Sequence, residues 1–318
     1  MRAAYFVEPD ADRPAEAIRV GDIDPAEPPP GWVEVDVRAG ALNMHDIWAL
    51  RGATRGAGTR PHVIGSDAAG SCEGRDVVVY PVVPREPDGK VVEHATLLPD
   101  AGHGVLAERV AVPAGHLVPK PGHLSWSEAA CLPTAWLTAY RMLFTKARVE
   151  PGHVVLVQGA GGGVATAAIG LATAAGATVV VTSRSPEKRE RALALGAAAA
   201  IDSGARVPQL ADVVVETVGP ATFEHSTRST RAGGTIVVCG GTSGFAAQLD
   251  LARLFAREIT VHGSTMGTLA EFEALVAFVA AHRVRPAVDS TADLAGVGAQ
   301  AARMLAGTAF GKLCVSLS

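Results

Sequence analysis

Between residues 150 and 265 the chain repeats one unit, a short apolar β-branched run followed by a helix-forming segment, and its first run breaks into glycines. The β runs fall at His153–Val157, Thr178–Thr182, Ala199–Asp202, Val213–Glu216, Thr235–Cys239 and Ile259–His262. Segments such as Val164–Ala175 and Glu187–Leu195 lie between them with helix-forming composition. Strands that are apolar along their whole length, alternating with helices, imply a parallel sheet covered on both faces. Six of them match a doubly wound α/β fold. After the first strand comes Gln158-Gly159-Ala160-Gly161-Gly162-Gly163-Val164-Ala165. Glycines there permit a tight turn and let backbone amides approach a pyrophosphate, and the following helix start offers unpaired N–H groups and a favourable dipole. Gly159, Gly161, Gly162, Gly163 and Val164 are therefore candidate contacts to a dinucleotide. A glycine motif alone is weak; placed between strand and helix inside a β/α repeat, it is specific.

The end of the second strand selects the dinucleotide. A loop that prefers NAD places an acid there for the ribose hydroxyls. Here the residues are Val181-Thr182-Ser183-Arg184-Ser185-Pro186-Glu187-Lys188, with no acid before Glu187. Ser183, Arg184 and Lys188 supply the hydroxyls and positive charge that a 2′-phosphate needs, so NADPH is the expected cofactor.

Outside this region the texture changes. Before residue 120 short β runs, Trp32–Val37 and Val77–Val83 among them, alternate with turns such as Pro28-Pro29-Pro30-Gly31 and 84–89, and a helix starts around Asn43–Arg51. After 265 a helix opens with the capping pair Thr268 and Glu271 and carries Leu269, Phe272, Val276 and Val279 on one face. Residues 285–288 then lead to a short helix and a last strand at Lys312–Leu317. The expected organisation is 1–122, 123–265 and 266–318, with the middle segment inserted into a domain formed by the other two.

Composition narrows the partners. The net charge is −4 and no segment concentrates Lys and Arg, which leaves a nucleic-acid or anionic-membrane surface little support. The N-terminus carries charges too early for a secretory signal, no uncharged apolar run would span a membrane, and the four cysteines show no metal-ligand spacing. Reduced, largely buried thiols and a cytoplasmic location are expected.

Several segments together resemble the medium-chain dehydrogenase/reductase superfamily, in its zinc-independent, quinone-oxidoreductase-like branch. They are LNMHDIWALRG at 42–52, IGSDAAG at 64–70, the stretch 106–140, the glycine loop, EKRERALALGA at 187–197, VVVETVG at 213–219, GGTIVVCG at 233–240 and FGKLCVSL at 310–317. They run in family order over nearly the whole chain. The resemblance implies a mostly-β GroES-like catalytic domain holding a Rossmann domain, and a homodimer paired along the last Rossmann strand. In the zinc-dependent branch a Cys, a His and a Cys bind the catalytic metal, and those places fall here at Asn43, Ser66 and Thr134. None is a strong zinc ligand, and residues 80–105, where a structural zinc lobe would lie, contain no cysteine. No metal is expected. The turn after Gly70 is shorter than is usual in the family, so substrate preference does not carry over.

Without a Lewis acid the accessible chemistry is conjugate addition of hydride to an enone, enal or quinone, followed by protonation of the enolate. The resemblance places LNMHDIW beside the nicotinamide. Asn43 would bond the substrate oxygen or the cofactor ribose, and Trp48 would form an apolar wall. His45 either delivers the proton or pairs with Asp46 to order the helix start. Asp46 and Asp67 match positions that hold the backbone together. The resemblance also assigns cofactor contacts to Thr138, Thr217, Cys239, Gly240 and Lys312, the last reaching the phosphates. Two other classes stay open: a tailoring dehydrogenase or imine reductase, and a non-catalytic NADPH-binding sensor or structural protein.

Overall fold

The computed structural model describes residues 1–25, 27–54, 61–83 and 96–317; the turn expected at 84–89 and part of the 80–105 segment lie outside them. The chain divides into two compact units, one of residues 1–134, 268–283 and 288–318, the other of 135–267 and 284–287.

The second unit holds a six-stranded parallel sheet. Its strands are Val154–Val157, Thr178–Thr182, Ala199–Ile201, Ala211–Glu216, Thr230–Val238 and Thr260–Gly263. Numbered along the chain they lie in the order 3-2-1-4-5-6, the doubly wound arrangement. The first, second and fourth are buried almost throughout because helices cover both faces, which is why their sequences do not alternate. Strand order reverses between the first and fourth strands, and the glycine loop leaves the carboxyl end of the first.

The first unit is built on a seven-stranded sheet. Its ten-residue strand Trp32–Ala41 pairs along one edge with Asp67–Cys72. Along the other it pairs first with Arg109–Pro113 and then with Lys312–Ser316. The tail strand is antiparallel to it, with Cys314 opposite Ala41 and Val315 opposite Gly40, and Leu42 N–H donates to Leu313 O at 2.9 Å. Continuing that register places Asn43 across from Lys312. The turn after Gly70 is a two-residue hairpin: Cys72 pairs with Arg75, and Glu73 and Gly74 both take positive φ, 51° and 76°. A three-stranded sheet, Arg19–Asp22, Arg2–Phe6 and His62–Val63, adds a second layer.

The tail differs from the sequence reading in one element. Val288–Ala292 is a strand, parallel to Lys312–Ser316. Its residues Val-Asp-Ser-Thr-Ala are neither apolar nor alternating, so only pairing identifies it. The helix Leu269–His282 starts at the Thr268/Glu271 capping box and buries Phe272, Leu275, Val276 and Val279, with Tyr80 against Phe272 at 5.9 Å between ring centroids.

Candidate functional site

In the first unit the site begins at Asn43, the N-cap of the helix Met44–Leu50. Asp46 closes the helix start: its Oδ2 accepts Asn43 N–H at 2.7 Å, and its Oδ1 accepts Gly65 N–H at 3.1 Å. Total burial pushes the Asp46 carboxyl up to about 6, against the opposing pull of the neighbouring His45. His45 does not pair with Asp46 as one reading of the sequence had it. Its Nε2 lies 3.0 Å from Asp100, 55 positions along the chain, and both side chains are largely buried. Burial disfavours the imidazolium, but the Asp100 carboxylate outweighs burial and holds His45 above its ordinary value. Trp48 follows one turn on, half-buried.

Asn43, Ser66 and Thr134 converge. Asn43 Nδ2 donates to Ser66 Oγ at 3.4 Å, and Ser66 Oγ lies 3.1 Å from Thr134 Oγ1. Lys312 is held in the same cluster. Its Nζ donates to Leu42 O at 2.7 Å, Asn43 Oδ1 at 2.5 Å and Asp67 Oδ2 at 2.9 Å, and the residue is 2% exposed. All three ammonium protons are used, so the expected reach of Lys312 to cofactor phosphates is corrected: it is a buried partner of Asn43 and Asp67. Close by, Cys131 and Cys314, 183 positions apart, sit buried with Sγ–Sγ 3.6 Å, a thiol contact and not a disulfide.

In the second unit the glycine loop is shaped from beneath. Gly159 has φ +81°, which favours glycine, and its N–H is taken by Thr182 Oγ1 at 3.2 Å. Gly159 thus supplies the turn, with its N–H already bonded within the protein. The amides free of helical acceptors belong to Gly163, Val164 and Ala165, because the N-cap, Gly162, has no side chain to close the first turn. At the second strand's end Ser183 is buried and its Oγ accepts Ser185 N–H at 3.2 Å, while Arg184 is exposed and Lys188 half-buried. Arg189, not singled out from the sequence, donates to Ser183 O at 2.6 Å and braces that turn. Thr217 Oγ1 donates to Gln158 O at 3.3 Å, Cys239 N–H to Glu216 O at 3.2 Å, and Gly240 continues from there, so all three lie at the carboxyl ends of the fourth and fifth strands. Burial pushes the Cys239 thiol up to about 12, which leaves it inert at neutral pH. Thr138 Oγ1 lies 3.8 Å from Met266 Sδ.

Under the loop runs a buried polar network that sequence reasoning missed. Gln158 Oε1 accepts Thr182 Oγ1 at 2.7 Å, and its Nε2 reaches His225 Nδ1 at 2.8 Å and Ser226 Oγ at 3.0 Å. Ser226 donates to Glu216 at 2.6 Å. Glu216, fully buried, also accepts from Val218 N, Gly219 N and Thr222 Oγ1 at 2.8 to 3.0 Å. The only sequence signal was a polar residue, Gln158 or Glu216, ending an apolar run.

The family model for zinc-binding dehydrogenases matches residues 163–281. A zinc-type alcohol dehydrogenase-like protein of Schizosaccharomyces pombe is 33% identical over 290 residues, 82% of this chain and 83% of its own length. The chain belongs to the medium-chain dehydrogenase/reductase superfamily. Among solved structures of this superfamily, an NAD-dependent alcohol dehydrogenase superposes with TM-score 0.91 at 30% identity, covering 100% of both chains. A 2-octenoyl-CoA carboxylase reductase, CinF, in complex with NADP and 2-octenoyl-CoA, superposes with TM-score 0.89 at 27% identity, covering 99% of this chain and 87% of its own. In a superfamily that includes zinc enzymes, the Asn43–Ser66–Thr134 cluster offers an amide and two hydroxyls, with no thiolate or imidazole, and does not fit zinc. No group of three or more His, Cys, Asp or Glu among the described residues could hold a metal ion, and no helix there is long and apolar enough to cross a membrane.

Proposed function

We propose that this chain is an NADPH-dependent reductase of activated carbon–carbon double bonds, working without zinc. The observation that carries this reading is the Asn43–Ser66–Thr134 cluster. An amide and two hydroxyls can hydrogen-bond a conjugated carbonyl oxygen but cannot ionise an alcohol. Substrates that spread charge onto their own carbonyl, such as enones, enals, quinones and enoyl thioesters, suit such a site. The solved relative bound to NADP and an enoyl-CoA supports both cofactor and substrate class.

The residues fit a dinucleotide. Gly161, Gly162, Gly163 and Val164 take the pyrophosphate at the helix start, and Ser183, Arg184 and Lys188 take the 2′-phosphate. Thr217, Cys239 and Gly240 line the strand ends beside the nucleotide, and Thr138 supports the nicotinamide. NADPH, when bound, supplies the hydride. Asn43 Nδ2 bonds the substrate oxygen and steadies the enolate, and Trp48 excludes water. His45, whose pKa Asp100 raises against the opposing effect of burial, is the donor of the proton for the α-carbon. The protein is further proposed to be cytoplasmic, in keeping with its four unpaired cysteines, and to form a homodimer. The strand Thr260–Gly263 has one edge unpaired in the sheet. Val261 on it is 38% exposed, and Phe255 just before it 74%.

The test is NADPH oxidation against a panel of enones, quinones, enoyl thioesters, ketones, imines and secondary alcohols with NADP, alongside metal analysis. Turnover confined to the conjugated substrates supports the reading. Turnover only of alcohols or imines, or about one zinc per chain, overturns it.

A further inference from the structure

Lys312 is costly to keep where it is. Desolvating an ammonium and a carboxylate costs several kcal/mol before their attraction returns any of it, and a well-packed apolar pair would join these strands as firmly. Its position argues for a task. The antiparallel register of the tail strand sets Lys312 opposite Asn43, and Asp67 lies on the strand flanking the other side, opposite Ala41. Lys312 donates to Asn43 Oδ1 at 2.5 Å, the shortest of its three bonds.

That contact acts on the far end of a conjugated group. A cation at the carboxamide oxygen draws electron density from the nitrogen and makes its N–H a stronger donor, and in a low-dielectric interior linked hydrogen bonds strengthen one another. The charge also prevents the amide from flipping, because only the oxygen can face an ammonium. Among the described residues, Asn43 Nδ2 makes one long contact, 3.4 Å to Ser66 Oγ, so it retains donor capacity. Burial opposes the Lys312 charge, but Asp67 outweighs it and keeps the ammonium protonated.

We propose that Lys312 is a positioning residue for the reduction, locking and polarising the Asn43 carboxamide so that Nδ2 gives a strengthened hydrogen bond to the developing enolate oxygen. This rests on the assignment of Asn43 as the donor to the substrate oxygen. When hydride reaches the β-carbon, the π pair of the double bond shifts toward that oxygen, and protonation at the α-carbon completes the step. Lys312 loses no proton. It supplies, through one amide, positive charge for an enolate in a cluster that does not fit zinc.

The experiment uses the full chain with NADPH and two substrates, a weakly activated enoyl thioester and a strongly activated benzoquinone. Lys312→Met alone would strand the Asp67 carboxylate, so the ion pair is neutralised together as Lys312→Met/Asp67→Asn, and Asn43→Ala is made with and without it. The paired variant is expected to lose about 10- to 100-fold in kcat on the thioester and much less on the quinone, with NADPH affinity and substrate KM within about twofold. In the Asn43→Ala background the pair should have no further effect, because it acts through Asn43. Equal losses on both substrates, losses that add to Asn43→Ala, or unchanged kcat would each overturn the proposal and leave the reductase reading standing. A wild type that reduces neither substrate would overturn both.

Discussion

Ser226→Ala tests the network beneath the glycine loop most sharply, because one hydroxyl serves two buried partners. Ser226 Oγ donates to Glu216 at 2.6 Å and accepts from Gln158 Nε2 at 3.0 Å. His225 Nε2 faces the Ala205 carbonyl at 2.8 Å and must carry the proton, so Nδ1 is the acceptor for Gln158's other N–H. Removing the hydroxyl deletes a bond to a carboxylate, about 1.5–3 kcal/mol, and leaves a buried amide proton without an acceptor, about 1–3 kcal/mol. The expected loss is about 2.5–6 kcal/mol, which should lower the melting temperature of this unit by roughly 10 °C or more. Gln158 also orders Thr182, which receives Gly159 N–H, so NADPH binding should weaken. Thermal unfolding by circular dichroism and an NADPH titration measure the two effects. Ser125→Ala, which removes a helix cap in the other unit, should cost only about 1 kcal/mol and serves as the comparison. If Ser226→Ala melts no lower than Ser125→Ala, the network does not carry the weight assigned to it.

Three further outcomes are expected. Arg184→Ala should weaken NADPH about ten- to a hundredfold and NADH little, read as the ratio of kcat/KM for the two cofactors; an unchanged ratio would show the 2′-phosphate is bound elsewhere. Asp100→Asn should let burial dominate at His45 and bring its pKa below 6.5. A His raised in the folded state adds stability that is present below pH 6.5 and lost as pH rises through the folded value; in the variant this reverses, and stability is lost as pH falls below 6.5. Urea midpoints across pH 5.5–8 for both proteins read the difference, and parallel curves would refute the pairing. Val261→Asp should turn a dimer into a monomer by light scattering, whereas a monomeric wild type would remove the dimer altogether.

The order of elements in the Rossmann unit was legible because its first, second and fourth strands are apolar along nearly their whole length and a helix follows each of them. The helix start around Asn43 and the Thr268/Glu271 capping box were legible for a similar reason, since a helix start is set within one turn, whereas the site role of Asn43 came from the family resemblance. Strand Val288–Ala292 was not, because its polar residues take their conformation from the neighbouring tail strand.

What the sequence by itself determined is the part that depends on near neighbours: apolar periodicity, the glycine turn, the missing acid after the second strand, and the residue types at the family's zinc positions. What only the tertiary structure decided is which side chains meet. His45 turns to Asp100 and not to adjacent Asp46, because Asp46 is consumed by the amides of Asn43 and Gly65. Lys312 meets Asn43, 269 positions away, because the register of two antiparallel strands brings them opposite, and a shift of one residue would have sent the lysine to the other face. Periodicity reports whether a side chain is buried; register decides what it is buried against.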